Sequence, residues 1–534
     1  MLLVIVASAL AQDRSPGERI DPAVSLKLGV DGIQQLSGLV DGLAPESVEV
    51  APTSDEQGAY CFSYAYELSE MWVDIAIDDL QLSPAQDRLD LTAEMTIAVN
   101  DAADPFALYI EALCQGTNCP GYVDPFPVGL SSSVTFEVAE DSLGEPWVDV
   151  TVAPFALDNG LASEHIHLDC SLGTLEDVLN IFGLSIYELI IGALEDQLNA
   201  QLDDLRVELE AQLEDALSAA SLSQELDLAG AVLSLELQPS AVEIDPEGLN
   251  LILAGVASAP AQECVVAWDP ELSVGTSSAL PGAEALGDHD AALVVADDFA
   301  NQLLYAAWRG GALCQSLGPA DGLPLDSGVL DSLTGGVLTD ILPEEPAPVF
   351  IELRPRLAPV MNLSTDHDAA VDLHELGLDL YTEIDDRMAR ALPLRLQTRV
   401  DIDLDFDPTT GQLETQLGLQ DELVIQLPFA DLAPGHEEEL ASSVSAALPT
   451  LLDAALGGLL SGLSFGMPGF GGVGVTDMGT SQPSGEWLAL QVDLGTPAYE
   501  PASCEDGCSG GCSGTGLAGG WLGMLALVLL RRRS

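Results

Sequence analysis

The chain has 534 residues, 47% of them hydrophobic, with 15 basic against 87 acidic side chains and a formal net charge of -72. This is length enough for two or three cored domains, and too much apolar content for a disordered chain. So acidic a surface repels nucleic acid, which excludes it as a partner, and repels anionic membranes at ordinary salt; its simplest use is solubility. The N-terminal MLLVIVASALAQ joins an apolar run, Leu2 to Val6, to a small-residue Ala9-Leu10-Ala11 pattern. It reads as a secretory signal over 1–11, cut after Ala11. Export implies an oxidising compartment in which cysteines pair. Cys61, Cys114, Cys119 and Cys170 allow three pairings among themselves. Cys264 and Cys314 are expected to bond to each other, because no other body cysteine lies in that half of the chain.

A helix is predicted over 29–43, in GVDGIQQLSGLVDGL. Period-two alternation follows between residues 60 and 160. In MWVDIAIDDLQL, Val73, Ile75 and Ile77 alternate with Asp74, Ala76 and Asp78; in RLDLTAEMTIAV, Leu89, Leu91, Ala93, Met95, Ile97 and Val99 share one face. These are half-wet strands of an antiparallel sheet. From about Leu175 to Ala220 the period becomes helical: Leu194, Leu198, Leu202, Leu205, Leu209, Leu213 and Leu217 recur at spacings of three and four, with acidic and amide residues between them. This is a long amphipathic helix with one apolar seam. Strands return at AVLSLELQPSAVEI and LNLILAGVA, and 265–290, with Pro, Gly and Ser and little periodicity, reads as a linker.

The second half repeats the order. A helix is expected near VVADDFANQLLYAAWRGG, strands include LPLRLQTRVDIDLDFDP with Leu394, Leu396, Val400, Ile402, Leu404 and Phe406 alternating, a helix runs over 437–463 kinked at Pro449, and EWLALQVDL closes the unit. The shared helix–strands–helix–strands order is an architectural repeat. The strings HDAALVVADDFANQLLYAAWRGGAL, with Asp298, Asn301, Tyr305 and Gly310, AIDDLQLS and EELASSVSAALPTLLDAAL make the chain resemble the bactericidal/permeability-increasing protein-like, tandem TULIP family of lipid-binding proteins. The resemblance spans about 25–498. It implies an α+β fold of two pseudo-repeated units, a first domain over 25–264 and a second over 291–498. Each would be a long curved antiparallel sheet wrapped on a long amphipathic helix.

The resemblance also implies acyl chains held in elongated apolar grooves, with pocket walls on the opening helices: Ile33, Leu36 and Val40 in the first unit, Phe299, Leu303 and Leu304 in the second. A dry core is the competing reading of each. No enzymatic activity and no cofactor are expected, and the partner is a lipid or another acyl-bearing amphiphile. Two departures matter. No cysteine lies between Leu175 and Ala220, so the family's strand-to-helix disulfide is missing. The family's basic, phosphate-gripping tip has no counterpart in so acidic a chain. A surface spacer or adhesin with a filled core is the second reading, and an esterase using Ser464 the third.

The C-terminus, CEDGCSGGCSGTGLAGGWLGMLALVLLRRRS, resembles the MYXO-CTERM sorting signal of myxobacterial surface proteins. The features are Cys508 and Cys512 in a Gly/Ser setting (region 499–515), then an apolar run with Trp521 and an arginine end (516–534). The apolar run is shorter than the ~20 residues of a spanning helix. The resemblance implies a transient anchor, a sorting protease as partner, and display at the cell surface or outer membrane.

Three constellations invite chemistry. GLSFG matches G-x-S-x-G at Ser464, but an esterase elbow needs a strand before the serine and a helix after it, and here the predicted order is reversed, leaving a helix-exit loop. His165, His167 and Asp169 share a strand face, with no H-E-x-x-H or paired C-x-x-C to complete a zinc site. Asp401, Asp403, Asp405 and Asp407 line another strand, where Phe406 stands in the place of the EF-hand glycine. Both faces read as solvated, and no metal site is assigned.

Overall fold

The computed structural model describes residues 17–40, 47–59, 62–69, 71–112, 114–158, 163–169, 185–218, 221–228, 231–266, 279–319, 325–363, 365–419, 423–446, 464–466 and 474–499. The signal segment, the sorting region with Cys508 and Cys512, and the apolar run after Gly516 lie outside them. Among the described residues no helix is long and apolar enough to cross a membrane.

The molecule is mostly antiparallel sheet, and two of its sheets curl into half-barrels. A central sheet of seven strands runs in the order Leu222–Leu228, Ala231–Asp245, Gly248–Ser258, Ile20–Gly29, Ala291–Ala296, Trp487–Gly495, Gly474–Ser481. Its middle pair joins the two halves of the chain, Val24 opposite Val295 and Leu28 opposite Ala291. A ten-stranded sheet is built from 47–168, around the long strands Met71–Ala85, Arg88–Val99 and Gln115–Glu140. An eight-stranded sheet is built from Ser316–Leu317 to Ser464–Gly466, around Ala369–Ile384 and Arg387–Asp407.

Both halves enter alike. Strand Ile20–Gly29 leads into helix α1 (Val30–Val40), and strand Ala291–Ala296 into a later helix. The predicted helix near residue 294 is therefore a strand up to Ala296. All six residues of that strand are buried, so it lacks the alternation that marks a half-wet strand. Strand Ile20–Gly29 likewise crosses the domain start expected at residue 25. α1 begins very close to the chain at Asp290. A Cβ on Gly32 would come within 2.3 Å of the Asp290 carbonyl oxygen, so only glycine fits there.

The alternation in Arg88–Val99 is realised in full: Leu89, Leu91, Ala93, Met95, Ile97 and Val99 are all buried. The long helix α2 (Ile186–Ser218) presents the predicted seam. Its first part, with Ile190, Leu194 and Leu202 buried, packs on the ten-stranded sheet; Leu209 joins the core of the central sheet. Glu210 and Glu214 accept the backbone N–H groups of Val152 (3.0 Å) and Val150 (3.3 Å) in strand Pro146–Val152. The helix thus supplies hydrogen-bond partners to a sheet edge that would otherwise be bare.

The second half of the stretch read as a linker is packed rather than free. Ala285 is buried, Leu280 and Leu286 lie on the central core, and Lys27 donates to the Pro281 carbonyl at 2.7 Å. Of the helix predicted over 437–463, residues 437–446 are helical and the remainder, with Pro449, lies outside the described residues. Ser464 is in a short strand, Ser464–Gly466, paired with Gln412–Glu414, where a helix-exit loop was expected. Cys264 and Cys314 form a disulfide with Cα atoms 6.3 Å apart. Cys114 and Cys119 are each disulfide-bonded as well, to partners outside the described residues.

Candidate functional site

Helix α3 (Asp297–Arg309) starts with two acids, Asp297 and Asp298, and ends on Arg309, each favourable at its end of the helix dipole. It is buried nearly all round, because it sits between the central sheet and strands of the eight-stranded sheet. Phe299 and Leu303, four residues apart and so on one face, are each 1% exposed and belong to the central core, as does Ile33 of α1 at 2%. Leu304 is turned to a different cluster, half-buried against Ala300, Met361, Leu363, Ala369 and Ile402. Ile33, Phe299 and Leu303 thus all belong to the central core, Ile33 near the Gly29 end of the sheet and Phe299 near the Ala23 end, while Leu304 belongs to a separate cluster. The side chains of Leu36 and Val40 lie outside the described residues. Asn301 accepts the Met361 N–H at 2.6 Å, and the indole N–H of the fully buried Trp308 donates to the Pro355 carbonyl at 3.1 Å. These bonds fix α3 to the strands beside it.

A longer apolar surface lies along α2. Between its buried leucines stand Ile191, Leu198, Leu205, Leu213 and Leu217, all only partly buried. Leu80 and Phe155 belong to the margins of both the central and the ten-stranded cores. The helix of 33 residues is about 50 Å long at 1.5 Å per residue. The seam is legible in the sequence; Phe155 is not, because APFALD shows neither period.

A cleft of about 240 Å³ has a different character. It lies at one end of the central sheet, between Lys27, Glu243, Asp245, Glu247 and Asn250 on the strands and Leu280–Leu286 above them. Burial holds the amine of Lys27, the chain's single lysine, below its ordinary range, against the pull of Glu284, Glu243, Asp245 and Glu247. Such a lining suits water and ions rather than an acyl chain.

The tempting constellations resolve into local pairs. His165 stacks on Phe126; His167 stacks on Tyr122 and pairs with Asp124 at 2.5 Å. Asp401 and Asp403 face His367, while Asp407 accepts from Thr409 and Thr410. Among the described residues no group of three or more His, Cys, Asp or Glu side chains is arranged to hold a metal ion.

At the start of α3, burial pushes Asp297 up to about 6, with the charges of Asp298 and Glu486 adding to it. A carboxyl raised in this way binds its proton more tightly in the folded state. Its contribution is therefore favourable below about 6 and is lost as pH rises through that value. Asp297→Asn is expected to stabilise the protein by about 1 kcal/mol at pH 8, after discounting for partial exposure, and to be neutral near pH 5. Urea midpoints at the two pH values check this; a variant no more stable than wild type at pH 8 refutes it.

No family model and no curated protein matches the chain. Among solved structures it is similar to lipopolysaccharide binding protein, at 14% identity, covering 90% of this chain and 100% of that one, with a TM-score of 0.48. It is also similar to P47 of Clostridium botulinum E1, at 7% identity, 90% and 100% coverage and a TM-score of 0.24. A third similarity is to Epiphyas postvittana Takeout 1, at 9% identity, 36% and 92% coverage and a TM-score of 0.22.

Proposed function

We propose that the protein binds acyl-bearing lipids without catalysis, along the seam between α2 and the sheets it crosses, and carries or captures them at the bacterial cell surface after export and C-terminal processing. One observation carries this reading: the line of half-covered leucines on α2, with Leu80 and Phe155 alongside, extends for several helical turns. A chain laid on such a line leaves water at about 0.8 kcal/mol per methylene and needs few polar contacts. Two TULIP-like units, each a sheet wrapped on its helix, would provide two such grooves. The tight burial of Ile33, Phe299 and Leu303 favours the second reading, a filled-core spacer, at the opening helices. It moves the proposed lipid contact away from those three residues and onto α2.

Native mass spectrometry of the purified protein tests the proposal. Phospholipid retained at one or two molecules per chain is the expected result. A folded protein that stays empty after incubation with phosphatidylcholine vesicles would overturn it.

A further inference from the structure

His367 lies in the loop 365–368 that leads into strand Ala369–Ile384, where the eight-stranded and central sheets meet. Its Nδ1 is 3.0 Å from both carboxylate oxygens of Asp403, and its Nε2 is 3.5 Å from Oδ2 of Asp401, itself only 6% exposed. The next residue, Asp368, accepts the Leu404 N–H at 2.7 Å and the hydroxyl of Thr480. The Gln482 amide donates to the carbonyls of His367 and, at 2.8 Å, of Asp368. Two loop residues, His367 and Asp368, thus tie strand Arg387–Asp407 of the outer sheet to the end of strand Gly474–Ser481 in the central one.

We propose that this loop is a pH-sensitive latch. Protonated, the imidazole bridges Asp401 and Asp403 and so fixes the loop whose Asp368 carboxylate and backbone carbonyls bond the central sheet. Neutral, it leaves two carboxylates on one strand face to repel each other, and the junction loosens. The charged groups around it are Asp401 and Asp403 on the facing strand and Asp366 and Asp368 in its own loop. From the central sheet, Thr480 and Gln482, which do not titrate, bond the loop; His289, paired with Asp493, lies beside neighbouring Gly479. The guanidinium of Arg399, farther along the facing strand, is held by Asp372 at 2.6 Å.

The hydrogen bond to Asp403 raises His367 above its ordinary range, opposed by desolvation and helped by the charges of Asp403, Asp401 and Asp366. The sign follows: the latch is closed below the ordinary histidine value of 6.5 and is lost as pH rises through the elevated folded value. Ile402, between the two aspartates, points to the opposite face and packs in the cluster that holds Leu304. A loosened junction therefore moves one wall of an apolar cluster. Any effect on ligand entry rests on the lipid-binding reading above.

Hydrogen exchange, corrected for intrinsic rates, tests the latch on the full chain. Protection of the Leu404 amide and of 365–368 is expected to fall about tenfold between pH 5.5 and pH 8. In His367→Gln it should match the wild-type pH 8 value at both pH values. Asp297 titrates in the same direction nearby, so Asp297→Asn is the control and should keep the pH dependence. Equal wild-type protection at both pH values, or a pH dependence that survives in His367→Gln or vanishes in Asp297→Asn, overturns the latch. Uptake of pyrene-labelled phosphatidylcholine from phosphatidylcholine vesicles reads the coupling, and should be about tenfold faster at pH 8. No uptake at either pH, with exchange behaving as expected, sinks the lipid-binding reading and leaves the latch standing. Uptake at equal rates at both pH values separates the latch from ligand entry and overturns the coupling.

Discussion

Truncating Phe299 to alanine is expected to cost about 3–5 kcal/mol of folding stability, measured as an earlier urea midpoint in tryptophan fluorescence, with the fully buried Trp308 and Trp487 as reporters. The ring fills a seat cut for it. A Cβ on Gly255 would come within 2.6 Å of the ring, 2.8 Å of Leu237 and 2.9 Å of the Ala23 side chain. Ala23 and Gly255 lie on strands that are hydrogen-bonded neighbours in the central sheet, and Leu237 pairs with Gly255 from the strand beyond. Three paired strands cannot close over the space an alanine would leave, so the cavity penalty adds to the lost transfer energy. The experiment also decides what Phe299 is for. A ring lining a lipid channel would be replaced at little cost, because alanine only widens the channel and the lipid load changes instead. A loss below about 1 kcal/mol would show that the residue is not core.

The parts of the fold legible in the sequence are those whose periodicity is local. Arg88–Val99 alternates because one face is wet, and α2 shows its seam because its other faces are solvated; both faces could be assigned residue by residue. The shared central sheet was hidden for the opposite reason. Ala291–Ala296 is covered on both sides, has no period of two, and runs straight into α3, so VVADDFANQLLYAAWRGG reads as one helix. Its pairing with Ile20–Gly29 joins residues far apart in the chain, which no local pattern encodes. The site divides in the same way. Helical spacing places Phe299 and Leu303 on one face, but which face meets core and which meets the eight-stranded sheet depends on strands contributed from elsewhere. His367 was not legible at all, since its partners Asp403 and Gln482 stand 36 and 115 residues away. The aspartates it holds looked like a solvated stripe.

Gln302 is the polar counterpart of Phe299, and replacing it by leucine is expected to cost about 1–3 kcal/mol. It is fully buried in α3. Its side-chain oxygen accepts the Ala257 N–H at 2.8 Å, and its amide donates to the Glu18 carbonyl, also at 2.8 Å. The need for it comes from the sheet. Strand Gly248–Ser258 is paired with Ile20–Gly29 only as far as Gly255 opposite Ile20, so beyond that point it meets no strand on this side among the described residues. Gln302 stands in for the missing strand and reaches back to the residues just before Ile20. Leucine would leave the buried Ala257 N–H unpaired, at a cost of about 1–3 kcal/mol, and would also lose the bond to the Glu18 carbonyl. Glutamate separates this account from simple packing. It keeps the acceptor for Ala257 but loses the donor to Glu18 and places a charge in a dry site. Gln302→Glu should therefore be far less stable than wild type at pH 8 and recover towards pH 5, where the protonated carboxyl donates again. Urea midpoints for both variants at the two pH values give the answer. A leucine variant within about 0.5 kcal/mol of wild type, or a glutamate variant indifferent to pH, would mean that the strand end finds its partners without Gln302.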